Sequence, residues 1–255
     1  MKMGIQCSIP IFIVLRGIIM KTFHRALTLI AVIAYIVGAS SCSRNTAETD
    51  NDAVGIDTGK FASSASDLID SLFDDDEYAE SQKRVLRAAL HHDGKIPYAS
   101  YSAAWESYRQ CLVDKGYTKP PQNLTNGIYF APAYFSTEGL TEAQSRKLGE
   151  DIDECRISQV YAVDLVYRAQ LGNPEFYGDP EVALVDCLHR KNLVPQNYTM
   201  NQYRKEYDSY MNDTSGGMPE DWFSFDFNDS AVLSCLAANK SPLIQPRLEI
   251  WKPLG

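Results

Sequence analysis

The sequence predicts a mostly α fold, a disulfide-stapled helical domain built from two tandem related helical modules. Three observations support this prediction. Apolar residues recur at helical spacing between helix caps, four cysteines follow an export-type leader, and one cysteine-containing stretch occurs twice. With 45% hydrophobic residues, the 255-residue chain is too apolar to be disordered and too evenly patterned for a polytopic membrane protein. Its net charge of −9 argues against nucleic-acid binding, which needs clustered basic side chains.

The N-terminus has the layout of a secretory signal peptide. Residues 1–41 contain four basic and no acidic side chains, so the remainder has 20 basic and 33 acidic residues and a formal charge of −13. From Met20, a cationic segment precedes a 14-residue apolar run, Ala26–Ala39, which is shorter than the ~20 residues of a spanning helix. We therefore expect translation to start at Met20. The alternatives are a genuinely longer leader, or a hairpin of two short apolar segments.

The end of this leader, Ala39-Ser40-Ser41-Cys42, resembles the lipobox of bacterial lipoproteins, with Ala39 where leucine is most usual. The resemblance implies cleavage before Cys42 and a diacylglycerol on its thiol. It also implies localisation at the cell membrane, lipid-anchored on the extracytoplasmic face, because two acyl chains suffice for stable anchoring. The alternative is an ordinary signal cleaved near Ala39–Ser41, with Cys42 unmodified.

Four segments are predicted along the chain. Residues 1–41 form the signal or leader, and residues 42–75 contain the lipidated cysteine and a flexible tether. The tether is predicted because Ser43–Ser66 is rich in small polar residues and shows no sustained period. Residues 76–172 form helical module 1, and residues 173–255 form helical module 2.

Helix signals follow one another through both modules. Thr141 with Gln144 has the form of a capping box, and Asp179 followed by Pro180 has the form of an N-cap and a first-turn proline. The predicted helices are 78–92, 100–115, 141–171, a helix that follows Asp179 and carries Cys187, 201–211 and 229–239.

One stretch of sequence occurs twice, beginning at Cys111 and at Cys187. Both copies read Cys-Leu, two variable residues, Lys, then Gly or Asn, an apolar residue and, after a short gap, Pro-Gln-Asn-x-Thr. Gly116 and Asn192 are the residue types that best tolerate the left-handed backbone after a helix. Each copy therefore predicts a helix, a capped end, a loop and a second helix with the partner cysteine.

Four cysteines lie beyond Cys42, which in an exported chain predicts two disulfides with three connectivities. The duplication favours pairing within each copy, Cys111 with Cys155 and Cys187 with Cys235. The alternative joins Cys111 to Cys187 and Cys155 to Cys235 about a pseudo-two-fold axis. Loop closure weakly prefers the local pairs, because their loops are shorter.

Common motifs for catalysis and metal binding are absent from the sequence. It contains no GxSxG, SxxK or HExxH motif, no glycine-rich phosphate loop and no cysteine pair at zinc spacing. We therefore assign no catalytic, cofactor or metal residue and expect a binding or structural module, with the membrane contacted through Cys42. The alternative is an envelope hydrolase that uses His189 or clustered carboxylates in a concave pocket.

Two aromatic clusters lie between the Pro-Gln-Asn-x-Thr loops and the second cysteines. Exposed rings there would form a surface for a glycan or an envelope protein, whereas buried rings would close the small module cores. The candidate binding surface consists of Tyr129, Phe130, Tyr134, Phe135, Trp222, Phe223, Phe225 and Phe227.

Overall fold

The computed structural model describes residues 59–73, 75–131, 135–243 and 250–255. These residues contain eight α-helices and one two-stranded antiparallel sheet, which confirms the mostly helical fold. The predicted leader, Cys42 and residues 43–58 of the tether lie outside the described residues. The elements are α1 (Ala65–Leu72), α2 (Glu80–Leu90), α3 (Tyr98–Asp114), β1 (Asn123–Thr125), β2 (Ile128–Phe130), α4 (Glu142–Gln159), α5 (Tyr161–Gly172), α6 (Pro180–Arg190), α7 (Met200–Met211) and α8 (Ser230–Ala238).

The predicted helix ends are present. Thr141 and Gln144 form the capping box of α4, and the Asp179 side chain accepts hydrogen bonds from two backbone amides at the start of α6. Gly116 and Asn192 follow α3 and α6 with φ angles of +94° and +56°. Both copies of the repeat therefore end their first helix by the same left-handed turn.

One disulfide joins the two helices of each copy of the repeat. Cys111 bonds to Cys155 with a Cα–Cα distance of 5.7 Å, and Cys187 bonds to Cys235 at 5.8 Å. These are the local pairings that the duplication favours, and the swapped pattern is not formed. Each bridge closes a loop of more than 40 residues, and such a loop contributes about 4 kcal/mol in the chain-entropy model. The bridges indicate an oxidising, extracytoplasmic environment.

The helix predicted over residues 141–171 is interrupted. The chain forms α4 and α5 instead of one long helix, and Val160 between them has a φ angle of −141°, outside the helical range. The prediction of one continuous helix is therefore wrong at this position.

The side chain of Gln82 on α2 satisfies the backbone groups that this break leaves free. Its amide nitrogen donates to the carbonyl oxygens of Ile157 and Ser158 at 2.8 and 2.6 Å. Its amide oxygen accepts from the backbone nitrogens of Ala162 and Val163 at 2.9 and 3.4 Å. A helix break inside a protein needs such partners, because buried unpaired backbone groups are costly.

Helix α1 shortens the predicted tether. Ser64 caps this helix, and Leu68 and Ile69 on its inner face are buried in the core. The flexible segment predicted over residues 42–75 therefore includes a folded helix. The cause is visible in the sequence, since a serine cap precedes apolar residues at helical spacing.

The buried side chains form two main cores that follow the two copies of the repeat. One core draws on residues 68–176 together with Trp251, and the other on residues 184–243. A small third cluster between them contains Ile128 of β2 and two alanines of α8. Among the described residues, no helix is both long and apolar enough to cross a membrane.

The last residues of the chain pack with the first core. Trp251 is 3% exposed, and its ring lies beside those of Tyr117 and Phe135. Its indole nitrogen donates to the carbonyl and hydroxyl oxygens of Thr118 at 3.1 and 2.9 Å. The boundary drawn from the repeat assigns these residues to module 2, whereas their packing places them against module 1.

The two Pro-Gln-Asn-x-Thr loops continue differently. In the first copy β1 and β2 form a hairpin, with Asn126 and Gly127 at positive φ in its turn. In the second copy Thr199 caps α7. The hairpin was not predicted, although an Asn-Gly pair is a strong hairpin signal because both turn positions require positive φ.

Candidate binding site

The predicted aromatic surface does not form as an exposed patch. Its rings fill the two cores instead, because small modules need this apolar area to fold. Tyr129, Phe223 and Phe225 are buried, Phe130, Phe135, Trp222 and Phe227 are half-buried, and Tyr134 lies outside the described residues.

A buried ion pair joins the two modules beside Tyr129. The guanidinium of Arg168 on α5 bonds both carboxylate oxygens of Asp164, at 2.9 and 2.8 Å. It also donates to the carbonyl oxygens of Tyr129 and of Ala237 on α8. The hydroxyl of Tyr101 donates to Asp164 at 2.9 Å and accepts from the Tyr129 backbone nitrogen at 3.0 Å. One side chain therefore connects α5, the hairpin and α8.

This ion pair is an internal connection rather than an accessible site, because Asp164 and Arg168 are both buried. Burial raises the pKa of Tyr101 well above its usual value, and the neighbouring Asp164 carboxylate adds to this effect. Tyr101 therefore keeps its proton and holds both the carboxylate and the hairpin backbone.

Three hydroxyl groups, those of Tyr98, Ser102 and Tyr129, meet above this connection. We call Tyr98, Ser102, Tyr129 and Tyr167 the tyrosine cluster. The hydroxyl of Tyr129 lies 3.0 Å from that of Tyr98 and 3.1 Å from that of Ser102. Tyr167 stacks on Tyr101 with 3.8 Å between ring centroids and 11° between planes. The buried ion pair thus supports the cluster from below.

Tyr98 is the accessible member of the cluster. It is 45% exposed, and its ring is stacked on that of Tyr129 at 6.3 Å and 17°. Leu124, which is 49% exposed, is the cross-strand partner of Tyr129, and its side chain therefore lies on the same side of the hairpin as that of Tyr129. The hydrogen bond with Tyr129, with some burial, raises the pKa of Tyr98 to about 12. Burial also raises the pKa of Tyr167, so Tyr98 and Tyr167 both keep their protons at neutral pH.

Comparison with family models, with curated proteins and with solved structures yields no match for this chain. The site therefore has to be interpreted from its own geometry. Tyr98 was not among the predicted binding residues, and its spacing from Tyr101 assigns it to the apolar stripe of α3. No local sequence signal separates it from that stripe, because its partner Tyr129 lies on the hairpin.

His189 and the two described cavities do not combine into a catalytic arrangement. The Nε2 atom of His189 lies 2.7 Å from the carbonyl oxygen of Tyr198 and so donates to it. A groove of about 350 Å³ between α2 and α3 is lined mainly by serine and alanine, and a second cavity of about 260 Å³ lies beside α1. Neither is lined by His189. In the described ranges, no group of three or more His, Cys, Asp or Glu residues is placed to hold a metal ion.

The acidic stretch of α4 contains one carboxylate with a structural role. Asp151 accepts hydrogen bonds from Lys147 and Tyr117, both at 2.7 Å, and from Lys115 at 3.1 Å. Burial alone would raise the pKa of Asp151, but these three donors outweigh burial and hold the pKa below its usual value. In the second copy of the repeat, the position four residues before the second cysteine is Ala231. This interaction is therefore specific to the first module.

Replacing Asp151 by asparagine tests this network. We expect Asp151→Asn to lower the free energy of unfolding at pH 7 by about 1–2 kcal/mol, because charge-assisted hydrogen bonds are lost. A carboxylate with a depressed folded pKa stabilises the protein above its unfolded pKa and loses that contribution as pH falls through about 4 and below. Urea titrations from neutral to acidic pH should therefore show a weaker acid dependence in the variant. Asp153→Asn is the matched control, because the Asp153 pair with Arg156 is partly exposed to solvent. An equal loss in both variants would contradict the assignment.

Proposed function

We propose that this chain is a lipid-anchored, extracytoplasmic protein of the bacterial envelope that acts as a binding or structural module. The observation that carries the proposal is the order of features in the leader. A cationic segment, a short apolar run and Ser-Ser-Cys precede a domain with paired cysteines. Two acyl chains on Cys42 would hold the domain at the membrane surface.

A binding role is supported by the tyrosine cluster. It offers an exposed ring at Tyr98 with the half-buried hydroxyl of Ser102 close by, on a rigid support of stacked rings and a buried ion pair. Binding sites combine an apolar contact area with a few fixed polar groups, and the cluster has this composition. The hydrolase alternative has no comparable support, because the His189 ring already bonds a backbone carbonyl.

The anchor is tested by substituting the cysteine that would carry it. We expect the wild-type chain, expressed in a bacterial host, to incorporate labelled palmitate and to sediment with membranes. The variant Cys42→Ala should lose the label and leave the membrane fraction, because no other part of the proposal attaches the domain to lipid. Thr46→Ala is the control, since Thr46 lies in the predicted tether close to Cys42, and it should keep label and partition unchanged. The anchor would be refuted if the Cys42→Ala variant retained the palmitate label. It would also be refuted if the mature-sized form of this variant remained in the membrane fraction.

A further inference from the structure

The ring of Tyr98 is an aromatic surface that is partly presented to solvent, since this residue is 45% exposed. One side of the ring is occupied, since it stacks on Tyr129 and its hydroxyl is hydrogen-bonded there. Leu124, the exposed cross-strand partner of Tyr129, adds an aliphatic side chain on the same side of the hairpin as Tyr129. An aromatic face is negatively polarised, so it attracts ligand groups with weakly positive C–H bonds. A pyranose ring presents such C–H bonds on a flat apolar face.

The hydroxyls of the cluster retain hydrogen-bonding capacity beyond their contacts with one another. Tyr98, Tyr129 and Ser102 are joined by two hydroxyl contacts. Three hydroxyls have three protons, and two contacts use two of them, so one donor is directed elsewhere. Tyr98 is exposed and Ser102 is half-buried, so a donor and oxygen lone pairs are available on these two hydroxyls beside the exposed ring.

The site favours a neutral ligand over an anionic one. In the described part of the chain, no Lys or Arg side chain forms a hydrogen bond with any hydroxyl of the cluster. The guanidinium of Arg168 lies nearby, but it is buried and bonds Asp164 and two carbonyl oxygens. The chain after its leader carries a formal charge of −13, which repels anions at long range.

We infer that the tyrosine cluster binds an uncharged carbohydrate, with a sugar ring resting on Tyr98 and its hydroxyls bonded to the hydroxyls of Tyr98 and Ser102. This inference rests on the proposed function, whose binding role it makes specific. An uncharged sugar matches each property of the site: its apolar face fits the exposed ring, its alternating donors and acceptors fit the free hydroxyls, and its neutrality fits the absence of an accessible cation from the described contacts.

Calorimetric titration of the full chain with neutral oligosaccharides tests the inference. The chain is held in a detergent without a sugar headgroup and titrated with cellohexaose, maltoheptaose and chitohexaose, with oligogalacturonate as the anionic comparison. We expect at least one neutral sugar to bind with a Kd on the order of 1 mM, as befits an open site of small contact area. Oligogalacturonate should bind more weakly. Absence of binding by all three neutral sugars, or tighter binding of the anionic one, would overturn the inference.

Variants of Tyr98 locate the binding. Tyr98→Ala should weaken the best sugar by about tenfold or more, and Tyr98→Phe by only about threefold, because the ring face is retained and one hydroxyl is lost. Phe61→Ala is the matched control, since Phe61 is an aromatic residue of similar exposure, 47%, whose ring contacts Phe176 and not the tyrosine cluster, and it should leave the affinity unchanged. Near-ultraviolet circular dichroism verifies that each variant is folded. An unchanged affinity in Tyr98→Ala, or an equal loss in Phe61→Ala, would refute the assignment.

The outcome also distinguishes this inference from the proposed function. If deca-proline peptide binds in place of the sugars and Tyr98→Ala abolishes that binding, the carbohydrate is refuted and the binding role stands. If the sugars bind as expected and palmitate labelling of Cys42 fails, the anchor is refuted and the carbohydrate site stands.

Discussion

Arg168→Ala is expected to destabilise the protein by about 3–5 kcal/mol in urea or thermal unfolding. Removing the guanidinium leaves the buried Asp164 carboxylate uncompensated, which is the costly half of a broken internal ion pair. It also removes the donors to the carbonyl oxygens of Tyr129 and Ala237, so the hairpin and α8 both lose their link to α5. We expect the variant to lose near-ultraviolet signal from the tyrosines at the contact between the modules.

Arg156→Ala provides the control for this loss. Arg156 also pairs with an aspartate on its own helix, Asp153, but this pair is partly exposed to solvent. Exposed pairs contribute about 0–1 kcal/mol, so the control should stay close to wild type. A second variant, Arg168→Ala with Asp164→Asn, should recover part of the stability because the unpaired charge is removed. Equal stability of Arg168→Ala and Arg156→Ala would contradict the connecting role of Arg168.

Trp251→Ala is expected to cost about 3–5 kcal/mol, the usual range for truncating a buried tryptophan. The substitution empties the space between Tyr117 and Phe135 and removes the indole donor to Thr118. Because these partners belong to the first module, the loss should appear as weaker protection of α3 amides in hydrogen exchange. The unfolding free energy is measured in parallel by urea titration.

Ile250→Ala is the neighbouring control for Trp251. Ile250 is 61% exposed, and truncation of an exposed residue changes stability by about 0.5 kcal/mol or less. If both variants were equally stable, the C-terminal residues would not contribute to the first core. If both were strongly destabilised, the backbone of the segment rather than the indole would carry the effect.

The features that the sequence predicts are those whose causes lie within a few residues. The capping box at Thr141 needs only Gln144 three positions later, and the ends of α3 and α6 need only a residue that tolerates positive φ. The disulfide pairing spans more than 40 residues. It was nevertheless predictable, because the duplication supplies a second copy of the same pattern.

The features that the sequence does not predict depend on partners far along the chain. The break at Val160 is satisfied by Gln82, which comes from another helix, so the apolar period of residues 141–171 continues through it without a signal. The accessible tyrosine site likewise depends on the hairpin, which places Tyr129 beside Tyr98. Periodicity records which face of a helix is buried, but it does not record which distant side chain covers that face.

The position of Trp251 has a consequence for the order of events during export. A chain exported with its N-terminus first presents residues 68–176 of the first core before Trp251. The first core therefore stays incomplete until Trp251 has crossed the membrane, although Cys111 and Cys155 are available for oxidation earlier. The indole that fills the space between Tyr117 and Phe135 is thus the last part of this core to arrive.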